Sequence, residues 1–224
     1  MAGPLAKNIQ TAAARLQRCY GIPAPRKPRP LLDILIETIL SQNTSDVNSR
    51  RAFLSLKRAY PRWESVRRAA PGRLAAAIKS GGLAQIKSRR IIALLRLLKS
   101  QRGSLSLEYL KKMPAEEAYA YLMSLKGVGP KTAACTLLFG AGLPLFPVDT
   151  HIYRVSSRLG WVRKKGTPEK FQERFRHAVP GGLVFALHIN LIEHGRRTCH
   201  PQRPACTACC LNSLCQLWKG RWTR

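Results

Sequence analysis

Acidic residues are scarce in this sequence. Among 224 residues, 11 aspartates and glutamates stand against 39 lysines and arginines, for a formal net charge of +28. A chain this basic repels itself unless it meets a polyanion. Nucleic acid is the leading candidate for that partner, and an anionic membrane surface is the alternative.

Long apolar runs are also absent. Residues 31–40 are interrupted by Asp33 and Glu37, and residues 91–98 by Arg96. Neither run approaches the roughly 20 apolar residues that a membrane-spanning helix needs. The N-terminal sequence MAGPLAKNIQ lacks the apolar centre of a secretory signal. We therefore expect no membrane partner and a cytoplasmic or nucleoid location.

A convincing strand pattern is missing too, because apolar and polar residues do not alternate over any useful length. Apolar residues recur instead at helical spacing, which predicts an all-α fold. Residues 85–101 have the pattern of a long helix with several basic residues, beginning with Lys87, and no acidic one. A solvated face is the simpler explanation, but in so basic a chain we expect these residues to border a phosphate track.

A glycine-bracketed turn, formed by Lys126, Gly127, Val128 and Gly129, separates two predicted helices, and Pro130 begins the second. Two glycines allow positive φ and a close backbone approach. Their N–H groups and the following helix N-terminus form an anion site. We interpret the turn as a helix–hairpin–helix clamp that holds a phosphate without reading sequence, rather than as an ordinary glycine-capped helical hairpin.

A lysine and an aspartate follow the turn 18 residues apart: Lys131, and Asp149 in the segment VDTH. A neutral lysine amine can attack a sugar carbon, and a carboxylate beside a glycosidic bond can stabilise positive charge on the sugar. The simpler alternatives are a solvated lysine and a helix N-cap, and capping is compatible with catalysis. His151 is interpreted as a structural residue or a phosphate donor.

The seven cysteines are unevenly spread, and four of them follow the pattern C-x6-C-x2-C-x5-C within 17 residues. These four are Cys199, Cys206, Cys209 and Cys215. The odd count and the clustering argue against a disulfide framework and for a metal site. Four thiolates suit either tetrahedral zinc or an iron–sulfur cluster. Cys210 is left out because it adjoins Cys209, and the basic loop that contains Arg203 is a further candidate for phosphate contact.

Together, LKGVGPKTA, PVDTHIYRV, HINLIEHGRRTC and the cysteine pattern resemble the endonuclease III family. Its members are helix–hairpin–helix DNA glycosylases of base excision repair that carry a 4Fe–4S cluster. The resemblance extends over residues 31–215 and implies a two-lobed all-α fold. A six-helix barrel at 29–143 would carry the hairpin, and residues 1–28 and 144–224 would form the cluster lobe. Double-stranded DNA with a damaged base or an abasic site would bind between the lobes of a monomer.

The resemblance also implies roles for single residues. Lys131 would be the Schiff-base nucleophile, Asp149 its carboxylate partner, and the four cysteines the cluster ligands. Leu83 matches a wedge that pushes on the opposite strand. The polar residue that fills the gap of a flipped base aligns with Asn43, but the glutamine usual in the family stands one place earlier, at Gln42.

We therefore expect a bifunctional DNA glycosylase and abasic-site lyase that removes oxidised pyrimidines and cleaves the strand by β-elimination. One alternative is a monofunctional mismatch glycosylase acting on adenine, uracil or thymine. The other is a non-catalytic DNA-binding protein with a structural zinc ion or cluster, for which binding would depend steeply on salt.

Overall fold

The structure is a computed structural model that describes residues 3–24, 28–162 and 167–220. Its regular structure is helical, and these ranges contain no β-strand, as the sequence predicts. None of the helices in them has the length and apolar character of a membrane span. The α-helices are α1 (Pro4–Tyr20), α2 (Leu31–Ser41), α3 (Asp46–Ala59), α4 (Trp63–Arg67), α5 (Pro71–Ala77), α6 (Ala84–Arg102), α7 (Ala115–Ser124), α8 (Pro130–Ala141), α9 (Thr150–Arg158), α10 (Pro168–Ala178) and α11 (Val184–Arg197). Short 3₁₀ turns lie at Lys79–Gly81, Glu108–Lys112, Gly181–Leu183 and Asn212–Leu214.

The chain divides into two compact units. The hairpin unit comprises Lys27–Leu143, and the cysteine unit comprises Met1–Arg26 together with Pro144–Arg224. The predicted lobes include residues 1–2, 25–27, 163–166 and 221–224, which lie outside the described residues.

Helix α2 is the core of the hairpin unit. Leucines and isoleucines surround most of its circumference, and a helix that is apolar all round is buried. Leu35, Ile36 and Leu40 have no exposed surface. Helix α2 packs against α3 and α8, while α6 packs against α4 and α5, and α7 against α8. This packing fixes both the C-terminal end of α2 and the N-terminal end of α8, where the candidate site residues lie.

The cysteine unit is built on α11, which packs against α1 and α9, and α9 contacts α10. Phe146, Phe171 and Phe175 are buried, and their rings pack at tilted angles. Gln172 holds the loop that precedes α9: its Oε1 accepts from the N–H of Val148 at 2.6 Å, and its Nε2 donates to the carbonyl of Phe146 at 2.5 Å. A buried side chain therefore fixes the backbone immediately before Asp149.

Candidate functional site

The predicted clamp is the turn between α7 and α8. Gly127 has φ +88°, a conformation that side chains with a Cβ rarely adopt. A Cβ at this position would lie 3.2 Å from Cδ of Arg90, so the Arg90 side chain of α6 covers the turn. Leu125 is 2% exposed and Val128 5%, and these two side chains anchor the turn in the core.

Two residues of the turn differ from the expectation. Gly129 has φ −97° and ψ 177°, an extended backbone that any residue adopts, so only Gly127 needs to be glycine. The side chain of Val128 is buried, and its N–H donates to the carbonyl of Leu125 at 3.0 Å. The side chain of Val128 therefore lies in the core, and its contact with DNA stays a prediction. The backbone N–H groups of Gly127, Gly129 and Lys131 have no acceptor among the described residues, and they remain as the anion site.

Lys131 is the second residue of α8, directly after Pro130, whose fixed φ suits the first helical position. Its side chain is partly buried, whereas that of Lys126 is exposed. The amine therefore belongs to the same helix terminus as the free amides. Lys126 adds positive charge on the solvent side of the turn.

Gln42 and Asn43 have different environments at the end of α2. Nε2 of Gln42 makes long hydrogen bonds to the carbonyl of Gly127 at 3.4 Å and to Oγ1 of Thr132 at 3.3 Å. Gln42 is thereby held against the clamp. Asn43 is exposed, and its side chain makes no hydrogen bond within the described part of the chain. The free side chain favours Asn43 as the gap-filling residue.

Backbone strain coincides with three of the predicted DNA contacts. Leu83 has φ +49° and is 51% exposed, Asn43 has φ +53° and Arg203 has φ +48°. In residues 3–24, 28–162 and 167–220, no other non-glycine residue has a positive φ. Such conformations cost roughly 1–3 kcal/mol each and concentrate at functional sites. This geometry supports the choice of these three residues independently of the sequence motifs.

Asp149 is the N-cap of α9, as the sequence predicts. Its Oδ1 accepts a hydrogen bond from the N–H of Ile152 at 2.8 Å, and its backbone is extended. The side chain is partly buried. The cap therefore fixes the orientation of the carboxylate that the catalytic interpretation requires.

His151 lies at the contact between α9 and α11. Its Nδ1 is 3.2 Å from a guanidinium nitrogen of Arg154, which also donates to the carbonyl of Gly195 at 2.7 Å. A Cβ at Gly195 would lie 2.9 Å from Cβ of His151, closer than side chains approach. Burial lowers the pKa of Arg154. These contacts favour the structural role for His151 over that of a phosphate donor.

The four cysteines of the spacing pattern line one cavity of the cysteine unit, together with Arg158, His194 and apolar residues. Cys210 is not part of that lining. Burial and a hydrogen bond with Cys19 raise the pKa of the Cys210 thiol to about 12. The folded chain therefore separates Cys210 from the other four, as its position beside Cys209 predicts.

Several donors point at the sulfur atoms of this cavity. Arg158 donates to Sγ of Cys199 at 3.1 Å, and the N–H of Leu211 donates to Sγ of Cys209 at 3.4 Å. Burial raises the pKa of the Cys209 thiol to about 11. Across the described ranges, no group of three or more His, Cys, Asp or Glu side chains is placed to hold a metal ion. The thiols instead surround a cavity, an arrangement that fits a cluster with four cysteine ligands.

Lys87 was expected on the basic face of α6, and this was wrong. The residue is 1% exposed, and its Nζ donates to the carbonyls of Leu40, Gln42 and Gly81. The sequence did contain a signal, because Lys87 lies four residues before Ile91 on the apolar stripe of the helix. Arg154 and Arg158, which connect α9 to the cysteine loop, were also missed. The available signal was that these two arginines lie four residues apart, on one face of the helix that Asp149 caps.

Comparison with known proteins identifies the family. Residues 36–180 match the HhH-GPD superfamily of base excision DNA repair proteins. Endonuclease III of Thermotoga maritima is 35% identical over 188 residues, which cover 84% of this chain and 84% of that protein. A candidate DNA glycosylase of Arabidopsis thaliana is 42% identical over 166 residues, or 74% of this chain and 57% of that protein. A solved structure of a non-covalent endonuclease III–DNA complex matches with a TM-score of 0.81 and 26% identity, covering 96% of this chain and 97% of that chain.

The chain therefore belongs to the endonuclease III family within the HhH-GPD superfamily. This confirms the resemblance drawn from the hairpin, Asp149 and the cysteine pattern. The family is one of base excision repair DNA glycosylases, in which lyase activity is typical. The chain spans little more than half of the Arabidopsis relative and most of the Thermotoga protein.

Proposed function

We propose that this protein is a bifunctional DNA glycosylase and abasic-site lyase that removes oxidised pyrimidines from double-stranded DNA. The observation that carries the proposal is the position of Lys131, a lysine at the helix terminus that also presents the free amides of the clamp. A monofunctional glycosylase uses water and needs no amine at this position. A lysine here therefore favours the lyase over the mismatch-specific alternative.

Affinity for DNA is proposed to come from the clamp and the charge of the chain. The amides of Gly127, Gly129 and Lys131 bind one phosphate, and Lys126 adds charge beside them. Arg203 provides a second contact from the cysteine loop. With a net charge of +28, binding is expected to weaken steeply as salt is raised. The endonuclease III–DNA complex matched above supports DNA as the partner, and we propose that the protein acts as a monomer inside the cell.

Base extrusion is proposed for Asn43 and Leu83. A damaged base inside a duplex is out of reach of any nucleophile and must be flipped, at a cost of a few kcal/mol. Asn43 then fills the vacated position, because its side chain is exposed and has no partner among the described residues. The exposed Leu83 wedges against the opposite strand.

The proposed chemistry uses Lys131 as the nucleophile. The lone pair of its amine nitrogen forms a bond to C1′ of the sugar while the glycosidic bond breaks. The departing base leaves with the electron pair of that bond and takes up the proton that the amine nitrogen loses. The carboxylate of Asp149, held by its cap, stabilises the positive charge that develops on the sugar. Opening of the sugar ring gives a Schiff base, and loss of a proton from C2′ then expels the 3′ phosphate. Hydrolysis of the imine frees the lysine.

A 4Fe–4S cluster is the cofactor that we propose for the cysteine cavity, with Cys199, Cys206, Cys209 and Cys215 as its ligands. The four cysteines line one cavity and accept N–H donors, as metal-bound thiolates do. Membership of the endonuclease III family favours a cluster over a single zinc ion. When bound, the cluster supplies iron–thiolate bonds that fix the loop containing Arg203. Elemental analysis of the purified protein should find four iron atoms and four sulfides per chain and no stoichiometric zinc.

The proposal is tested by borohydride trapping of the protein on duplex DNA with an abasic site. The wild-type protein should form a covalent adduct, and Lys131→Gln should form none. Lys112→Gln, at an exposed lysine of the same unit, serves as the control and should trap like the wild type. Trapping that survives Lys131→Gln would exclude Lys131 as the nucleophile. Duplexes with single oxidised pyrimidines or single mismatches then identify the substrate.

A further inference from the structure

Lys87 is a buried cation that has no carboxylate partner among the described residues. Its side chain is 1% exposed, and burial lowers its pKa. Nζ donates to three backbone carbonyls: Leu40 at 2.7 Å, Gln42 at 2.6 Å and Gly81 at 2.7 Å. An ammonium has three N–H donors and no acceptor, so these three carbonyls satisfy it completely. This satisfaction explains how a charged lysine is tolerated in the core.

The three carbonyls come from two separate segments. Leu40 and Gln42 belong to the end of α2, where carbonyls lack helical donors and the helix dipole favours a cation. Gly81 belongs to the 3₁₀ turn that precedes α6. The segments also touch directly, since a Cβ at Gly82 would lie 3.9 Å from the carbonyl of Asn43. Lys87 therefore binds the two segments together from the core side.

Each segment leads into one of the proposed inserting residues. Asn43 directly follows Gln42, and Leu83 lies two residues after Gly81. Both have positive φ, which is unfavourable for residues other than glycine and persists only where the surroundings enforce it. The ammonium of Lys87 contacts the backbone shortly before each of these two residues.

We propose that Lys87 is a positioning residue that presets Asn43 and Leu83 for insertion into DNA. The inference rests on the proposed function in one respect, because it assumes that the protein extrudes a base. Loss of the ammonium frees both segments to relax, so every event that requires insertion is impaired. Phosphate binding and attack on a sugar that is already accessible do not depend on it.

The decisive comparison is between Lys87→Met, which keeps the length of the side chain and removes the charge, and Lys112→Met, its exposed control in the same unit. Both are made in the cluster-loaded, full-length protein. Insertion is followed by the fluorescence of 2-aminopurine placed opposite a non-cleavable abasic analogue in a duplex. Affinity for undamaged duplex and borohydride trapping on single-stranded abasic DNA report the steps that need no insertion.

For Lys87→Met we expect the 2-aminopurine signal at saturating protein to be largely lost. A misplacement of about 1 Å can slow a reaction roughly 10²-fold, so base release from duplex should fall at least about tenfold. Duplex affinity and single-strand trapping should match those of Lys112→Met. A normal 2-aminopurine signal, or an equal loss in all measurements, would overturn the proposal. The second outcome would show a purely structural role.

If Lys87→Met does not fold, Lys87→Arg carries the same comparison. The guanidinium keeps the charge, but its planar donors cannot meet three carbonyls that converge on a single nitrogen. We expect reduced insertion with normal trapping, and wild-type insertion by this variant would refute the role of Lys87. Absence of base release by the wild-type protein from any oxidised pyrimidine would instead contradict the proposed function. The 2-aminopurine signal needs no catalysis and still decides the role of Lys87 in that case.

Discussion

Arg158 donates a hydrogen bond from its guanidinium to Sγ of Cys199 at 3.1 Å. The same guanidinium donates to the carbonyls of His200 at 2.7 Å and Pro201 at 2.8 Å, and the residue is only 8% exposed. The backbone carbonyl of Arg158 in turn accepts from the N–H of Gln216 at 2.9 Å. One residue at the end of α9 therefore holds both ends of the cysteine loop.

Replacement of Arg158 by methionine should destabilise the cysteine unit by about 3 kcal/mol, because the partly buried carbonyls of His200 and Pro201 lose a charged donor, and such hydrogen bonds contribute roughly 1.5–3 kcal/mol each. It should also lower the iron content of the purified protein, since Cys199 loses its donor. Melting temperature and iron analysis measure the two effects. Arg174→Met, at an exposed arginine of α10, is the control. Full iron content and an unchanged melting temperature in Arg158→Met would show that this network is unimportant.

Two substitutions of Asp149 should separate capping from catalysis. Asparagine caps a helix about as well as aspartate, so Asp149→Asn should leave the melting temperature nearly unchanged. Loss of the negative charge should still slow single-turnover base release by about 10²-fold or more. Asp149→Ala should lose activity and about 1 kcal/mol of stability as well. Wild-type base release by Asp149→Asn would reject the electrostatic role.

Gly195 and Gly72 should respond in opposite ways to alanine. In a helix this change normally stabilises by roughly 0.5–1 kcal/mol, and Gly72 in α5 has open space around its Cβ position. At Gly195 a Cβ would lie 2.9 Å from Cβ of His151, and overpacking costs typically about 1–3 kcal/mol. We therefore expect Gly72→Ala to raise the melting temperature and Gly195→Ala to lower it. A raised melting temperature for Gly195→Ala would mean that α9 and α11 separate easily, and a lowered one for Gly72→Ala would contradict the expected gain in an open helix position.

The pH dependence of stability should include a contribution from Glu64. Hydrogen bonds from Arg67 and then Arg68 hold its pKa at about 2, below the ordinary value of 4.5. Because the folded-state pKa is the lower one, this contribution is present above about pH 4.5 and is lost as pH falls towards 2. The group is exposed, so salt should screen the effect. Thermal unfolding of Glu64→Gln at neutral and acid pH, at low and high salt, should show a smaller acid loss than the wild type.

The cap at Asp149 and the buried Lys87 show how far a sequence specifies this structure. An N-cap is encoded within four residues, and the hairpin turn is marked by its own glycines and proline, so both can be predicted locally. Lys87 bonds to carbonyls that lie 47, 45 and 6 residues away in the chain. The backbone carbonyl is the same in every residue, so no sequence pattern predicts which carbonyls will accept from a buried lysine.

The glycines of the clamp also show that the local sequence does not specify every backbone conformation. Glycine permits a positive φ without requiring it, and the packing of Leu125 and Val128 decides which glycine adopts one. The four cysteine ligands proposed from their spacing do line one cavity. One donor at that cavity, the guanidinium of Arg158, comes from α9 and could not be assigned before α9 was placed. The residues of the site could thus be predicted from local sequence, whereas the distant residues that hold them in place could not.

At Asn43, Leu83 and Arg203, which have a left-handed backbone, thermal stability and the proposed contacts with DNA favour different residues. Glycine at any of these positions would relax the chain and favour the folded state, while removing a side chain proposed to contact DNA. Substitutions chosen for thermal stability alone would therefore remove the proposed DNA contacts at these three positions. The side chains at these three positions are therefore carried on a backbone that glycine would adopt with less strain.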